Sequence, residues 1–266
     1  MKQTGKIPPR GFALVGMTAL LVICKLYDKL KFDTMEHKRL TLFAGHYGSG
    51  KTNIAVNYAL LLAAEGKKVC IADLDIVNPY FRTKDSAEAL QKAGVELISP
   101  QFANSNVDLP ALPAESYRLV QDKSVYGIMD IGGDDRGAYA LGRFTPAIRQ
   151  EDDFRMVFVA NCYRPLTRTP EEALEVMREI EAACGLQFTC IVNNSNLGPE
   201  TTPETVLDSI GYIEDLCKLS GLPLFATTAE ETVAGKLDLP NVISLRLQEK
   251  YFDLPSQKPG NRPLWA

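Results

Sequence analysis

Eight consecutive residues constrain this chain more than any others: Gly45-His46-Tyr47-Gly48-Ser49-Gly50-Lys51-Thr52. They follow the apolar run Leu40–Ala44 and lead straight into Asn53–Ala64, which is apolar on nearly all sides and stops at Gly66. A strand that ends in a glycine loop and passes directly into a helix points the helix's first N–H groups at one place. The glycines let the loop backbone wrap with its own N–H groups inward, and the helix dipole adds positive potential there. The spacing fits G-x-x-x-x-G-K-[ST] in full, in the strand-to-helix context that gives the pattern its meaning. Lys51 is expected at the β- and γ-phosphates of a nucleotide, and the Thr52 hydroxyl at a bound Mg²⁺.

The rest of the chain alternates strands and helices. Apolar, β-rich runs occur at Val69–Ala72, Val95–Ile98, Tyr126–Met129, Met156–Ala160, Thr189–Val192 and Leu224–Ala226. Helices are expected over Asp85–Ala93, within Pro110–Asp122, and from Thr169 to Cys184. In the last of these Thr169 is the N-cap, Pro170 fits the first turn, Glu172 completes a capping box and Gly185 ends the helix. Thr202-Pro203-Glu204 opens a further helix with Val206, Ile210 and Ile213 on one face. This alternation predicts an α/β fold of three layers, a mostly parallel sheet covered by helices on both faces. The expected organisation is an N-terminal extension over residues 1–34, a nucleotide-binding domain over 35–250 and an irregular tail over 251–266.

A Mg²⁺ ion takes oxygen ligands, so a carboxylate at a neighbouring strand end should accompany Thr52. Asp75 closes the run Asp73-Leu74-Asp75, and Asp130 ends a strand and leads into Ile131-Gly132-Gly133. Asp75 and Asp130 are therefore the candidate metal ligands, and either can also orient an attacking water; with Lys51 they form the catalytic candidates. Asp73 divides evenly between a site residue and a turn residue.

Composition narrows the possible partners. The formal net charge is −4 and the isoelectric point about 5.4, so nothing in the bulk charge favours nucleic acid. Six cysteines form no Cys-x-x-Cys pair, and Cys70 and Cys190 fall inside apolar strands, which reads as reduced core thiols in a cytoplasmic protein. Two histidines, His37 and His46, cannot make a metal cluster by themselves. The apolar segment Gly11–Cys24 follows Lys2, Lys6 and Arg10 but falls short of the roughly 20 residues that span a bilayer as a helix. It reads equally as a membrane anchor, as a packed surface helix, or as an extension upstream of a start at Met35; any membrane contact would run through it.

These motifs, in this order over residues 39–233, resemble the MinD/ParA-like group of P-loop ATPases, within the class that includes CobQ/CobB-type proteins and metallochaperones. The resemblance implies that Asp73-Leu74-Asp75 is the group's acidic pair and that Asp130-Ile131-Gly132-Gly133 begins its γ-phosphate switch. It further implies that Asn193, after Ile191-Val192, meets the adenine edge, with Leu222-Pro223-Leu224 and Glu230-Glu231 packing over the base. The group also carries a signature lysine second in the loop, which reaches across an ATP-dependent dimer. Here that residue is His46, shorter and mostly neutral at pH 7, and Arg82 or Arg136 are the candidates for compensating charge. Gly48–Thr52 is also similar to the loop of nickel-chaperone GTPases. Those read guanine with Asn-Lys-x-Asp, however, and this chain has Asn193-Asn194-Ser195-Asn196 there, with Gly235-Lys236-Leu237-Asp238 only a partial, later match.

The expected function is a Mg²⁺-dependent switch ATPase with slow hydrolysis, acting on an unidentified protein partner, with ATP expected over GTP and an ATP-dependent homodimer as one form. Two alternatives follow from the same resemblance. One is an ATP-dependent small-molecule kinase or ligase of the CobQ/dethiobiotin-synthetase type, with Asn78-Pro79-Tyr80-Phe81-Arg82 as an acceptor site. The other is a GTPase metallochaperone.

Overall fold

The computed structural model describes residues 36–75, 86–98, 114–133 and 135–247. The expectations for residues 1–34, Asn78–Arg82 and the tail after 251 lie outside the described residues, as does the side chain of Arg136.

Among the described residues eight strands form one sheet: β1 (Leu40–Ala44), β2 (Val69–Leu74), β3 (Glu96–Ile98), β4 (Tyr126–Ile131), β5 (Phe154–Ala160), β6 (Cys190–Asn193), β7 (Leu224–Glu230) and β8 (Val242–Leu245). Their spatial order is β3-β2-β4-β1-β5-β6-β7-β8 and every pairing is parallel. The helices are α1 (Lys51–Ala64), α2 (Ala87–Lys92), α3 (Arg118–Gln121), α4 (Asp135–Gly142), α5 (Thr145–Ile148), α6 (Pro170–Cys184), α7 (Pro203–Asp208), α8 (Ile210–Ser220) and α9 (Glu231–Ala234).

Most buried apolar residues divide into a layer on each face of the sheet, with a small separate cluster of Val206, Ala229 and Val233. One layer contains Leu42, Met129, Phe158, Leu141, Met177 and Leu216, drawn from strands together with α4, α6 and α8; the other joins Phe43, Ile71, Ile128 and Val157 to Ile54, Tyr58 and Leu62 of α1. Adjacent residues of one strand, such as Leu42 and Phe43, thus enter opposite layers, because strand side chains alternate. That is why the central strands are continuous apolar runs. In α1, Ile54, Ala55, Val56, Tyr58, Ala59, Leu61 and Leu62 are all buried, as the sequence suggested.

Most elements lie where the apolar pattern put them, and α6 has the expected capping box: Glu172 N donates to Thr169 Oγ1 at 3.2 Å and Thr169 N to Glu172 at 3.1 Å. Three details differ. The strand β4 runs past the apolar stretch Tyr126–Met129 and one residue beyond Asp130, since Asp130 and Ile131 continue the ladder with Asp73 and Leu74. The single helix expected after Thr202 divides into α7 and α8 at Ser209, whose buried hydroxyl donates to Val206 O at 2.7 Å. A Ser side chain that bonds a carbonyl three residues back competes with the helical ladder there. The strand β8 was not anticipated; its Val242-Ile243-Ser244-Leu245 pattern is short and only half buried.

At the end of the sheet opposite the glycine loop, Arg39 donates through Nε to Glu151 at 2.9 Å and through Nη1 to Leu119 O at 2.9 Å and Val125 O at 3.2 Å. Lys123 also contacts Glu151. The buried guanidinium is satisfied by carbonyls as well as a carboxylate, which offsets its desolvation.

Candidate functional site

Parallel strands bring their C-terminal ends to one edge, and the loop from Gly45 to Gly50 leaves β1 there. Register fixes its neighbours: Phe43 pairs with Asp130, Asp130 with Asp73, Ala44 with Phe158, and Ala160 with Asn193. The candidate carboxylates, the glycine loop and the asparagines of β6 therefore occupy one edge of the sheet. Asp130 stands one strand from the loop; Asp73 and Asp75 stand two strands away.

The loop is folded on itself. Ser49 N donates to His46 O at 3.2 Å, Lys51 Nζ reaches back to the same carbonyl at 3.4 Å, and Ile54 N donates to Gly50 O at 3.2 Å. Ser49, Lys51 and Thr52 are buried, whereas Tyr47 is exposed. The Lys51 ammonium thus lies over the first half of the loop, and Thr52 sits in the first turn of α1.

Two other segments press on this loop. A Cβ at Gly133 would lie 2.6 Å from Tyr47 N and 2.9 Å from Gly45 O, so the chain just past β4 touches the loop backbone at a distance only glycine permits. On the other side, Asn194 Nδ2 donates to Ser49 O at 2.6 Å while its Oδ1 accepts from Thr228 Oγ1 at 2.6 Å. Asn194 therefore ties β6 and β7 to the second half of the loop.

Asp73, Asp75 and Asp130 are all buried. Asp73 Oδ1 accepts from Asp75 N at 3.0 Å, the turn geometry that was one of its two expected roles, and the other role stays open because Asp73 is the direct register partner of Asp130. Among the residues expected at the base, Asn193 is fully buried: Nδ2 donates to Ser209 Oγ at 2.9 Å and Oδ1 accepts from Ser195 N at 3.1 Å. Its amide holds the loop after β6 in shape, while its neighbour Asn194 faces the glycine loop. The donors offered to a metal by Thr52, Asp75 and Asp130 are hard oxygens, which suits Mg²⁺.

His46 has its pKa lowered, first by burial and then by the Lys51 charge, with Glu179 opposing. The imidazole is therefore more firmly neutral at pH 7 than a free one and does not reproduce a lysine. A pH prediction follows. The folded state resists protonation that the unfolded chain accepts, so stability is lost as pH falls below about 6.5 and recovered as it rises back. His46→Gln should flatten that part of the curve in urea melts run between about pH 5 and 7.5. Parallel curves for the two proteins would contradict the placement.

The Asn161–Thr167 loop after β5 was missed from sequence. It holds Arg164 beside Gly48, where a Cβ would lie 3.5 Å from Arg164 Nε. The signal was available: the segment follows a parallel strand, so it had to start on the same edge as the glycine loop.

Among the described cysteines, Cys70, Cys184 and Cys190 are buried as core residues are, whereas Cys162 and Cys217 are only partly buried. Burial raises the Cys70 thiol to about 12 and Cys190 to about 11, and both are free. No described helix is long and apolar enough to cross a membrane.

The chain matches no protein-family model and no curated protein sequence. Solved structures do match. FtsY from Mycoplasma mycoides is 14% identical with a TM-score of 0.51, over 84% of this chain and 71% of that one. The cell division protein FtsY from Thermotoga maritima is 18% identical, also at 0.51, over 80% and 71%. The fold is that of the P-loop nucleoside triphosphatases. At these identities the likeness is one of fold alone.

Proposed function

We propose that this chain is a Mg²⁺-dependent nucleoside triphosphate switch that hydrolyses slowly and signals the state of its terminal phosphate to a protein partner. The observation that carries this reading is the contact of Gly133 with the backbone of Gly45–Tyr47. A glycine segment that follows a buried aspartate and abuts this loop is placed to respond when a γ-phosphate enters or leaves. Lys51 would hold the β- and γ-phosphates, the loop amides from Gly45 to Gly50 would wrap them, and Asp130 or Asp75 would orient water. Thr52 with Asp130 or Asp75 would hold Mg²⁺, which when bound neutralises phosphate charge.

Adenine is favoured over guanine because Asn193-Asn194-Ser195-Asn196, at the end of β6 and just beyond it, supplies no carboxylate to accept the guanine N1 and N2 protons. The closer kinship we favour is to the MinD/ParA-like group, on the order of motifs from Gly45 to Glu231. The test uses the full chain with Mg²⁺ and either ATP, ADP or GTP, measuring phosphate release and mass by light scattering. Slow release without any acceptor, with a triphosphate-specific change of mass or of hydrodynamic radius, is the expected result. A shift to twice the monomer mass only with ATP would add the homodimer. Release that waits for a small-molecule acceptor would replace the switch by a kinase or ligase. Faster turnover of GTP than of ATP would reverse the choice of base.

A further inference from the structure

We infer that Arg164 is a phosphate-sensing residue that donates to the terminal phosphate of the nucleotide bound in its own chain. The inference rests on the nucleotide reading above and assigns to Arg164 the charge that His46 does not provide.

Three observations point the same way. The Arg164 side chain lies along the phosphate loop: from the position of a Gly48 Cβ, Nε, Cδ and Cζ are 3.5, 3.6 and 3.8 Å away. Its Nε is buried and, among the described residues, makes no hydrogen bond. A guanidinium has five N–H donors and no acceptor, and an arginine kept for structure alone finds carbonyls or carboxylates, as Arg39 does. Arg164 has no such partner among the described residues, so its buried Nε is a donor that a ligand oxygen would satisfy, while the terminal nitrogens are not buried.

The backbone that carries Arg164 is held from several sides. Arg164 N donates to Asn161 O at 3.2 Å, and Thr167 Oγ1 donates to the same carbonyl at 2.8 Å. Cys162 N donates to Ser195 Oγ at 3.1 Å and Tyr163 Oη to Thr205 O at 2.7 Å. Two residues on, Leu166 has φ 63°, a left-handed conformation that a leucine rarely adopts. The guanidinium is therefore presented from a fixed base, which lowers the entropy lost on engaging a phosphate.

Position selects the phosphate. The second half of the loop is covered by Asn194 at Ser49 and Gly50, whereas the first half is flanked by Gly133 and by the Lys51 ammonium at His46 O. Arg164 meets the loop at Gly48, against that first half, where the Lys51 ammonium already marks the β- and γ-phosphate end. A planar guanidinium suits a terminal phosphate because it can offer two parallel N–H groups.

The test compares nucleotides that differ only at that end. Full-length wild type, Arg164→Met and Arg164→Lys are titrated with ADP and with the β,γ-imido analogue of ATP, both with Mg²⁺, at a concentration where light scattering reports a monomer. Arg164→Met keeps an apolar stem against Gly48 and removes the donors. It should weaken the imido triphosphate by about 10- to 100-fold, the effect of one charge-assisted hydrogen bond, and ADP by less than about twofold. Arg164→Lys should fall between wild type and Arg164→Met. An equal loss for both nucleotides, or no loss, would overturn the assignment, as would a loss confined to concentrations where the chain dimerises. If wild type bound neither nucleotide, the nucleotide reading itself would fail, and the inference with it. Should Arg164→Met melt far below wild type, the ratio of the two affinities in Arg164→Lys decides, with an unchanged ratio counting against the inference.

Discussion

Alanine in place of Lys51 is expected to lower affinity for a Mg²⁺-triphosphate by at least about 100-fold. Lys51 is 5% exposed, and its ammonium lies over His46 O at 3.4 Å, inside the loop that would wrap the phosphates. Each charge-assisted hydrogen bond to a phosphate oxygen is worth about 1.5–3 kcal/mol, so two of them amount to about 3–6 kcal/mol, or roughly two to four decades. Titration with a fluorescent nucleotide reads the loss, and the melting temperature of the unliganded variant reports folding separately. A folded Lys51→Ala protein that binds as tightly as wild type would show that the phosphates go elsewhere.

A methyl group at Gly50 should have the largest effect on stability, about 2–5 kcal/mol. Gly50 has φ 90°, in the left-handed region where an L side chain costs about 1–2 kcal/mol. The added Cβ would also lie 2.2 Å from Asn194 Nδ2. Asn194 cannot swing aside cheaply, because its amide bonds Ser49 O and Thr228 Oγ1, both at 2.6 Å, and leaving a buried polar partner unsatisfied costs about 1–3 kcal/mol. Urea denaturation of Gly50→Ala checks this, and a change below about 1 kcal/mol would contradict the geometry. In an Asn194→Ala background the clash is gone, so Gly50→Ala should there cost only the backbone part.

Much of the fold was legible because its signals are local. Leu40–Ala44 is buried throughout and apolar but for Thr41, since both faces of a central parallel strand are covered, and the Thr169–Glu172 capping box is a contact between residues three apart. The split of the helix at Ser209 was hidden because Val206, Ile210 and Ile213 keep helical spacing across the break. The strand β8 was hidden because an edge strand buries little. At the site, the glycine loop could be read directly, since a consecutive run of residues encodes its shape.

The sequence by itself determined that a glycine loop leads from the first strand at Gly45 into the helix opening at Lys51, that acidic residues lie near the ends of two other strands, and that the sheet is mostly parallel. These follow from turn chemistry, helix electrostatics and apolar periodicity, all of which act over a few residues. Only the tertiary structure decided which distant groups meet the loop. Gly133 touches it from β4, Asn194 rather than Asn193 ties it to β6, and Arg164 lies on it from the loop after β5. These contacts depend on strand order: β4 and β5 flank β1 and β6 lies one strand beyond, an arrangement that many non-local pairings fix together and no short window of sequence contains.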